Sequence, residues 1–141
     1  MDFSDQIAII TGSSAGIGQA AAIGMAEGGA KLVINYSKSA EAAEKVVAAC
    51  KAAGGDAIAV KADVSDDADC KKLVEAAMDE WGHLDILVNN AGTTKFMNHD
   101  DLDGLSAEDF EQIYALNLIG PYQMIKHARP HLAKTDAPSV V

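Results

Sequence analysis

The stretch Ile7-Ala8-Ile9-Ile10-Thr11-Gly12-Ser13-Ser14-Ala15-Gly16-Ile17-Gly18 decides the fold of this chain. Its first four residues form an uninterrupted apolar run, which is typical of a strand covered on both faces of a sheet. Glycines then allow a tight turn, and an alanine-rich helical segment follows at once. Because such a turn brings free N–H groups together at the start of a helix, the stretch predicts a site for a phosphate-bearing ligand.

The same alternation of strand and helix continues along the chain. Apolar runs recur at residues 32–34, 57–60 and 86–88, and another begins at residue 139. The segments between them have helical spacing, and Ser39, Ser65 and Ser106 are predicted to cap three of these helices. The pattern predicts a single α/β domain over residues 1–141. We expect a Rossmann-type doubly wound parallel sheet, truncated at the start of the fifth strand.

The composition excludes several classes of protein. With 11 basic and 21 acidic side chains, a net charge of −10, the chain has no basic stripe for nucleic acid or an anionic membrane. No apolar run reaches the roughly 18 residues of a membrane span, and the first residues lack the pattern of a signal peptide. We therefore expect a cytoplasmic protein with neither nucleic acid nor membrane as a partner.

Neither cysteine chemistry nor metal binding is indicated. Cys50 and Cys70 lie in helical segments without a C-x-x-C pattern, so we expect them to be reduced residues that serve in packing. His127 and His131 are four residues apart, but no glutamate lies between them and no third ligand accompanies them. The sequence therefore predicts no metal site.

Two further motifs follow later strands in the same order as in a known family. Asp63-Val64 comes after the third strand, and Asn89-Asn90-Ala91-Gly92 ends the fourth. Together with the glycine-rich turn, these motifs resemble those of the short-chain dehydrogenase/reductase family, and the resemblance runs from Gln6 to Val141. It implies hydride transfer between a nicotinamide cofactor and a small-molecule carbonyl or alcohol substrate. We expect a homo-oligomer when the protein is full length.

The resemblance also implies a role for particular residues. The diphosphate of the cofactor would lie on the glycine-rich turn, which supplies Gly12, Ser13, Ser14, Gly16, Ile17 and Gly18. Asp63 would accept from the adenine amino group beside Val64, and the nicotinamide riboside would be lined by Asn90, Ala91 and Gly92. Asn117 would kink its helix and hold a water of the proton relay through its main-chain carbonyl. Pro121 fits that role, because a proline has no N–H to bond the carbonyl four residues earlier.

The end of the second strand bears on the choice of dinucleotide. A carboxylate there would pair with the ribose 2′-hydroxyl and repel a 2′-phosphate, but the sequence reads Asn35-Tyr36-Ser37-Lys38. Tyr36, Ser37 and Lys38 are therefore candidate cofactor-binding residues, and Ser37, Lys38 and Ser13 can donate to a 2′-phosphate. Ala15, however, stands where many NADP-specific relatives carry a basic residue. NADP is favoured, and NAD stays open.

The serine, tyrosine and lysine that complete catalysis in the family follow the fifth strand, where this chain stops. Tyr122 and Lys126 have the Y-x-x-x-K spacing but share a helix with Asn117, so we interpret the match as coincidence. Three alternatives remain. The chain is the cofactor-binding half of an active enzyme and is inactive alone, or a truncation that binds nucleotide or docks to full-length subunits without catalysis. The third alternative is another Rossmann-type binder such as a methyltransferase.

Overall fold

A five-stranded parallel sheet forms the centre of the computed structural model, which describes residues 2–141. The sheet has the order β3-β2-β1-β4-β5, with strands β1 (Ile7–Ile10), β2 (Lys31–Tyr36), β3 (Asp56–Lys61), β4 (Ile86–Val88) and β5 (Ser139–Val140). The central strand β1 pairs with β2 and β4, so that Ile10 lies opposite both Ile34 and Val88. The predicted Rossmann-type α/β fold, with a parallel sheet ending at a short fifth strand, is confirmed.

Helices cover both faces of this sheet, namely α1 (Gly16–Glu27), α2 (Ala40–Ala52), α3 (Asp67–Trp81) and α5 (Gly120–Leu132). A further helix, α4 (Ala107–Tyr114), buries no residue. Side chains alternate along a strand, so β1 contributes to both hydrophobic layers. Ile7 and Ile9 pack with α3 and α5, whereas Ala8 and Ile10 pack with α1 and α2. All four are fully buried, which explains why the run shows no alternation of apolar and polar residues.

Side-chain caps begin three of the helices, and one of them differs from the prediction. Ser39 and Ser106 accept hydrogen bonds from the first turns of α2 and α4, as predicted. Ser65 was expected to begin α3, but the cap is Asp66, whose carboxylate accepts from the backbone N–H groups of Ala68 and Asp69. A carboxylate is also favoured there by the positive end of the helix dipole.

The bend predicted near Asn117 takes the form of a π-helical turn. This turn, Ala115–Ile119, joins α4 to α5, and the N–H of Gly120 donates to the carbonyl of Ala115 five residues earlier. A proline inside an α-helix removes a donor and its ring clashes with the carbonyl four residues earlier. The wider turn ends just before Pro121, so it accommodates the proline without breaking the run of helix.

Both cysteines are buried and free, which confirms their predicted place in packing. Burial, with the negative charges of Asp67, Asp66 and Asp69, raises the pKa of the Cys70 thiol to about 11. Within residues 2–141 no cluster of three or more metal-ligating side chains occurs. Over the same residues, no helix combines the length and the apolar character needed to cross a membrane.

Candidate functional site

A cleft of about 690 Å³ opens where the first four strands end. This volume lies in the range of small-molecule sites. Residues from the turns after β1, β2, β3 and β4 line it, among them Gly12, Ser14, Tyr36, Ser37, Lys38, Asp63, Val64, Asn90, Ala91 and Gly92. The structure therefore brings most of the predicted cofactor residues to one place. Ser13, Gly16, Ile17, Gly18 and Asn117 are not among the lining residues.

Two glycines of the turn after β1 have a backbone that other residues adopt only with strain. Gly12 has a φ of +64° and Gly16 a φ of +60°. A Cβ on Gly12 would lie 2.9 Å from the Cα of Ala91, so the turns after β1 and β4 require a glycine at this contact. A Cβ on Gly16 would meet nothing within 4 Å. Gly16 therefore borders open space at the start of α1.

The N-terminus of α1 has no side-chain cap. Its first flanking residue is Ala15, and no acidic residue occurs in its first turn. Ile17 in that turn is 82% exposed. The first N–H groups of a helix need a partner and carry the positive end of its dipole. In α1 these groups are available to an anion.

Gly18 lies deeper and acts through packing. A Cβ there would be 2.5 Å from Nδ2 of Asn90, whose amide donates to the carbonyls of Thr11 at 2.9 Å and Gly12 at 3.3 Å. The hydroxyl oxygen of Thr11 in turn accepts from the backbone N–H groups of Asn90 and Ala91. The turns after β1 and β4 are thus joined by a partly buried network of hydrogen bonds.

Ser13 does not have the free hydroxyl that the sequence suggested. Its side chain is fully buried, donates to the carbonyl of Ile10 at 2.7 Å and accepts from the N–H of Asn35 at 3.0 Å. The expectation that this hydroxyl donates to a 2′-phosphate is therefore wrong, because both of its hydrogen-bonding roles are used inside the protein.

Sequence reasoning also missed two polar residues that organise the cleft, Thr11 and Asn35. Both are only 2% exposed. The side-chain oxygen of Asn35 accepts from the N–H of Gly12 at 2.8 Å, and its Nδ2 donates to the carbonyl of Ala62 at 3.0 Å. The signal that could have found them is a polar residue at the carboxyl end of a buried strand, where backbone groups leave the sheet and need partners.

The residues after β2 are open to the cleft. Tyr36 is half-buried, whereas Ser37 and Lys38 are exposed, and all three line the cleft. No carboxylate among residues 2–141 forms an ion pair with Lys38, in contrast to Lys45 on α2, which pairs with Glu41. The ammonium group of Lys38 is therefore free to contact a ligand.

The turn after β3 is held in a fixed conformation by its own Asp63 and by Asp69 of α3. One oxygen of Asp63 accepts from the backbone N–H of Ser65 at 3.0 Å and from its hydroxyl at 2.7 Å. The N–H of Asp63 donates to the carboxylate of Asp69. Val64 is buried below, and its carbonyl accepts from the Cys70 thiol. The exposed carboxylate of Asp63 is thus oriented at the rim of the cleft.

The side chain of Asn117 fastens the turn after β4 to the π-helical turn. Its Oδ1 accepts from the N–H of Thr93 and its Nδ2 donates to the carbonyl of Thr93, both at 2.8 Å. Thr93 lines the cleft, as do Ala115 and Leu116 of the π-helical turn. This two-point contact fixes the position of the Asn117 backbone relative to the cleft.

The family model described as short chain dehydrogenase matches residues 6–141. The chain belongs to this family. It is 44% identical over 123 residues to the short chain dehydrogenase/reductase nsrJ of Aspergillus novofumigatus, covering 87% of this chain and 46% of nsrJ. This family member thus spans about half the length of that curated relative.

Two solved structures show the same fold. A short chain dehydrogenase from Burkholderia cenocepacia in complex with NADP has a TM-score of 0.87 and 37% identity, covering 94% of this chain and 53% of that one. The NADH-dependent reductase A1-R′, responsible for alginate metabolism, has a TM-score of 0.88 and 29% identity, covering 98% of this chain and 57% of that one. With the family established, the methyltransferase alternative is wrong.

The Y-x-x-x-K pair of this dehydrogenase family member lies away from the cleft. Tyr122 is 67% exposed, and neither Tyr122 nor Lys126 is among the lining residues. The ammonium of Lys126 is 2.5 Å from the carboxylate of Asp67 at the start of α3, and His127 contacts the same oxygen. These two contacts lower the pKa of the Asp67 carboxyl. The lysine thus joins α5 to α3.

Proposed function

We propose that this chain binds NADP and is the cofactor-binding half of an oxidoreductase that acts on a small-molecule carbonyl or alcohol. The observation that carries the proposal is the convergence of the three family motifs on one cleft. When bound, the nicotinamide of the cofactor supplies or accepts the hydride. The chain's own residues bind and orient the dinucleotide.

The fit of a dinucleotide rests on the free positions around the cleft. Gly16 borders open space, and the uncapped N-terminus of α1 offers N–H donors to a diphosphate. Asp63 at the opposite rim can accept from an adenine amino group. On the side of β1 away from Asp63, after β4, Asn90, Ala91 and Gly92 would border the nicotinamide riboside. Asn117, fastened to Thr93, would hold a relay water through its main-chain carbonyl.

The two solved structures differ in their dinucleotide, since one is a complex with NADP and the other is an NADH-dependent reductase. The preference of this chain for NADP over NAD therefore depends on its residues after β2. Ser37 and Lys38 are exposed at the cleft. The segment Tyr36-Ser37-Lys38 contains no carboxylate, which would have repelled a 2′-phosphate. A charge-assisted hydrogen bond contributes about 1.5–3 kcal/mol when it is not screened by solvent. For the exposed Lys38 we expect the lower end of that range.

This preference can be measured in the full-length protein, meaning the complete gene product that contains residues 1–141. Lys38→Ala should weaken NADPH binding by about tenfold, as followed by cofactor fluorescence, and leave NADH binding unchanged. Lys45→Ala on α2 is the matched control, since Lys45 already pairs with Glu41. Equal binding of NADPH by the wild type and Lys38→Ala would contradict the 2′-phosphate contact. No binding of either dinucleotide would contradict the proposed function.

A second candidate is a chain that binds nucleotide without catalysis, and the ion pair between Lys126 and Asp67 favours it for residues 1–141 alone. Lys126 of α5 is paired with α3 and does not line the cleft, so it is not placed to assist a catalytic tyrosine there. We therefore expect the isolated chain to reduce none of a panel of ketones with NADPH. Tyr122→Phe in the full-length protein should keep wild-type turnover. Loss of turnover in that variant would identify Tyr122 as the catalytic tyrosine.

We also propose that the full-length protein is a cytoplasmic homo-oligomer. Exposed apolar side chains recur along α4, the π-helical turn and α5, namely Phe110, Tyr114, Leu118, Tyr122 and Ile125. A stripe of this kind favours association with a second protein surface. Leu118→Asp should lower the mass measured by light scattering if the stripe joins copies of the chain. Cell fractionation tests the compartment.

A further inference from the structure

We propose that Asn35 is a positioning residue of the cofactor site, whose side-chain amide holds the glycine-rich turn and the turn after β3 in the conformation that binds the dinucleotide. The role in binding rests on the proposed function. The hold on the two turns is a property of the protein alone and can be tested separately.

Asn35 connects two turns that the chain sequence separates widely. Its Oδ1 accepts from the N–H of Gly12 at 2.8 Å, and its Nδ2 donates to the carbonyl of Ala62 at 3.0 Å. Gly12 belongs to the turn expected to carry the diphosphate, and Ala62 directly precedes Asp63, which is expected to meet the adenine. One buried amide thus fixes the spacing between the sites for the two ends of the adenosine diphosphate moiety.

The Gly12 backbone is held from both neighbouring strands. Asn35 at the end of β2 accepts from its N–H, and Asn90 at the end of β4 donates to its carbonyl. The sheet order places β1 between β2 and β4, so the two asparagines approach the turn from opposite sides. Because Gly12 has a positive φ and glycine has wide conformational freedom, these contacts keep the turn in one conformation.

The polar atoms of Asn35 are used inside the protein. Its backbone N–H donates to the hydroxyl of Ser13, its backbone carbonyl accepts from the N–H of Ser13, and its amide contacts Gly12 and Ala62. Asn35 therefore acts on a ligand through the two turns. A site ordered in advance spares the ligand the entropic cost of ordering it. Loss of the amide would leave the partly buried N–H of Gly12 and the buried carbonyl of Ala62 unpaired.

In the Asn35→Asp variant, the hold of this side chain on Gly12 and Ala62 should depend on pH. A protonated carboxyl has one donor and one acceptor and can serve both Gly12 and Ala62. An ionised carboxylate has acceptors only and would face the Ala62 carbonyl, so binding should improve as the pH falls. The ionisable side chains that line the same cleft are Tyr36, Lys38 and Asp63. Comparison with the wild type at each pH removes their contribution and that of the ligand.

The experiment measures NADP⁺ binding to the full-length protein by calorimetry between about pH 5 and pH 8, a range that includes the expected raised pKa of a buried carboxyl. The Kd of Asn35→Asp should exceed that of the wild type by about tenfold or more at the upper pH. At the lower pH the two values should agree within about threefold. Asn98→Asp, at an exposed asparagine without a side-chain hydrogen bond in residues 2–141, controls for the added charge. The same ratio at both pH values would overturn the role of Asn35 while leaving the proposed function intact.

Asn35→Leu and hydrogen exchange separate the two claims. This neutral variant should weaken NADP⁺ binding at every pH and should speed exchange of the Gly12 amide in the protein without ligand. Unchanged exchange would show that Asn35 does not hold the turn and would overturn the inference. If the wild type binds no dinucleotide, the proposed function and the binding role both fail. If Asn35→Leu does not fold, the pH dependence of NADP⁺ binding by Asn35→Asp still tests whether Asn35 positions the two turns.

Discussion

Two glycines of α1 should respond in opposite ways to the same substitution. A Cβ on Gly18 would lie 2.5 Å from Nδ2 of Asn90 and 2.9 Å from both the Gly12 carbonyl and the Ser13 Cα. A Cβ on Gly24, six residues later on the exposed side of the helix, would meet nothing within 4 Å. The pair therefore separates crowding at the cleft from the general effect of alanine in a helix.

The expected size follows from the contacts of Gly18. Forcing one extra methyl into a packed position costs about 1–3 kcal/mol. Displacing Asn90 would also weaken its hydrogen bonds to Thr11 and Gly12, each with a net value of about 0.5–1.5 kcal/mol. Replacing glycine by alanine also stabilises the helix itself, by at most about 1 kcal/mol. We expect Gly18→Ala to lower the free energy of unfolding by about 2–4 kcal/mol and Gly24→Ala to raise it by about 0.5–1 kcal/mol.

Urea unfolding of the full-length protein, followed by circular dichroism, measures both changes. The midpoint should move in opposite directions in the two variants while the slope with urea stays the same. The cofactor affinity of Gly18→Ala should also fall, since Asn90 lines the cleft. A Gly18→Ala protein as stable as Gly24→Ala would refute the packing role of Gly18.

Three further changes test other parts of the molecule. Gly16→Val should abolish NADPH binding, measured by fluorescence. Gly54→Val in the turn between α2 and β3 also places a side chain at a positive φ with nothing within 4 Å, and it should bind normally. Pro121→Ala restores an N–H that competes for the Asn117 carbonyl. We expect turnover to fall by at least about tenfold, or about 1.4 kcal/mol of barrier, without a change in the Kd of the cofactor. Normal turnover would contradict the role of the Asn117 carbonyl in the proton relay. Because Lys126 and His127 lower the pKa of Asp67, its contribution to stability is complete above the ordinary value of 3.8 and is lost as the pH falls through the lowered pKa. Asp67→Asn should therefore unfold more easily than the wild type near pH 7 and equally in strong acid, and a constant difference across pH would contradict the pairing.

The fold could be predicted because its signals are local. Ile7–Ile10 is apolar at every position since both faces of β1 are covered, and residues 86–88 repeat the pattern in β4. The error at Ser65 arose because adjacent serine and aspartate can both cap a helix, and only the three-dimensional course of the turn selects Asp66. Pro121 indicated a bend, but its form as a π-helical turn depends on how the helix packs.

The candidate site could be predicted only in part. Spacing alone identified the turns after β1, β3 and β4, because the carboxyl ends of parallel strands meet at one edge. The buried state of Ser13 and the contacts of Asn35 depend on the pairing of β1 with β2, which brings Ile10 beside Ile34. Contacts between residues more than 20 positions apart have no trace in local spacing. The double contact of Asn117 with Thr93 was missed for the same reason.

The π-helical turn has a consequence for tolerance to changes in chain length. A π-helical turn holds about one residue more than an α-helical turn, so Ala115–Ile119 is equivalent to a single-residue insertion in a continuous helix. Removing one residue there would let α4 and α5 keep their packing faces while the Asn117 side chain withdrew from Thr93. The extra residue thus lets α5 pack against the core while Asn117 contacts Thr93 at the rim of the cleft.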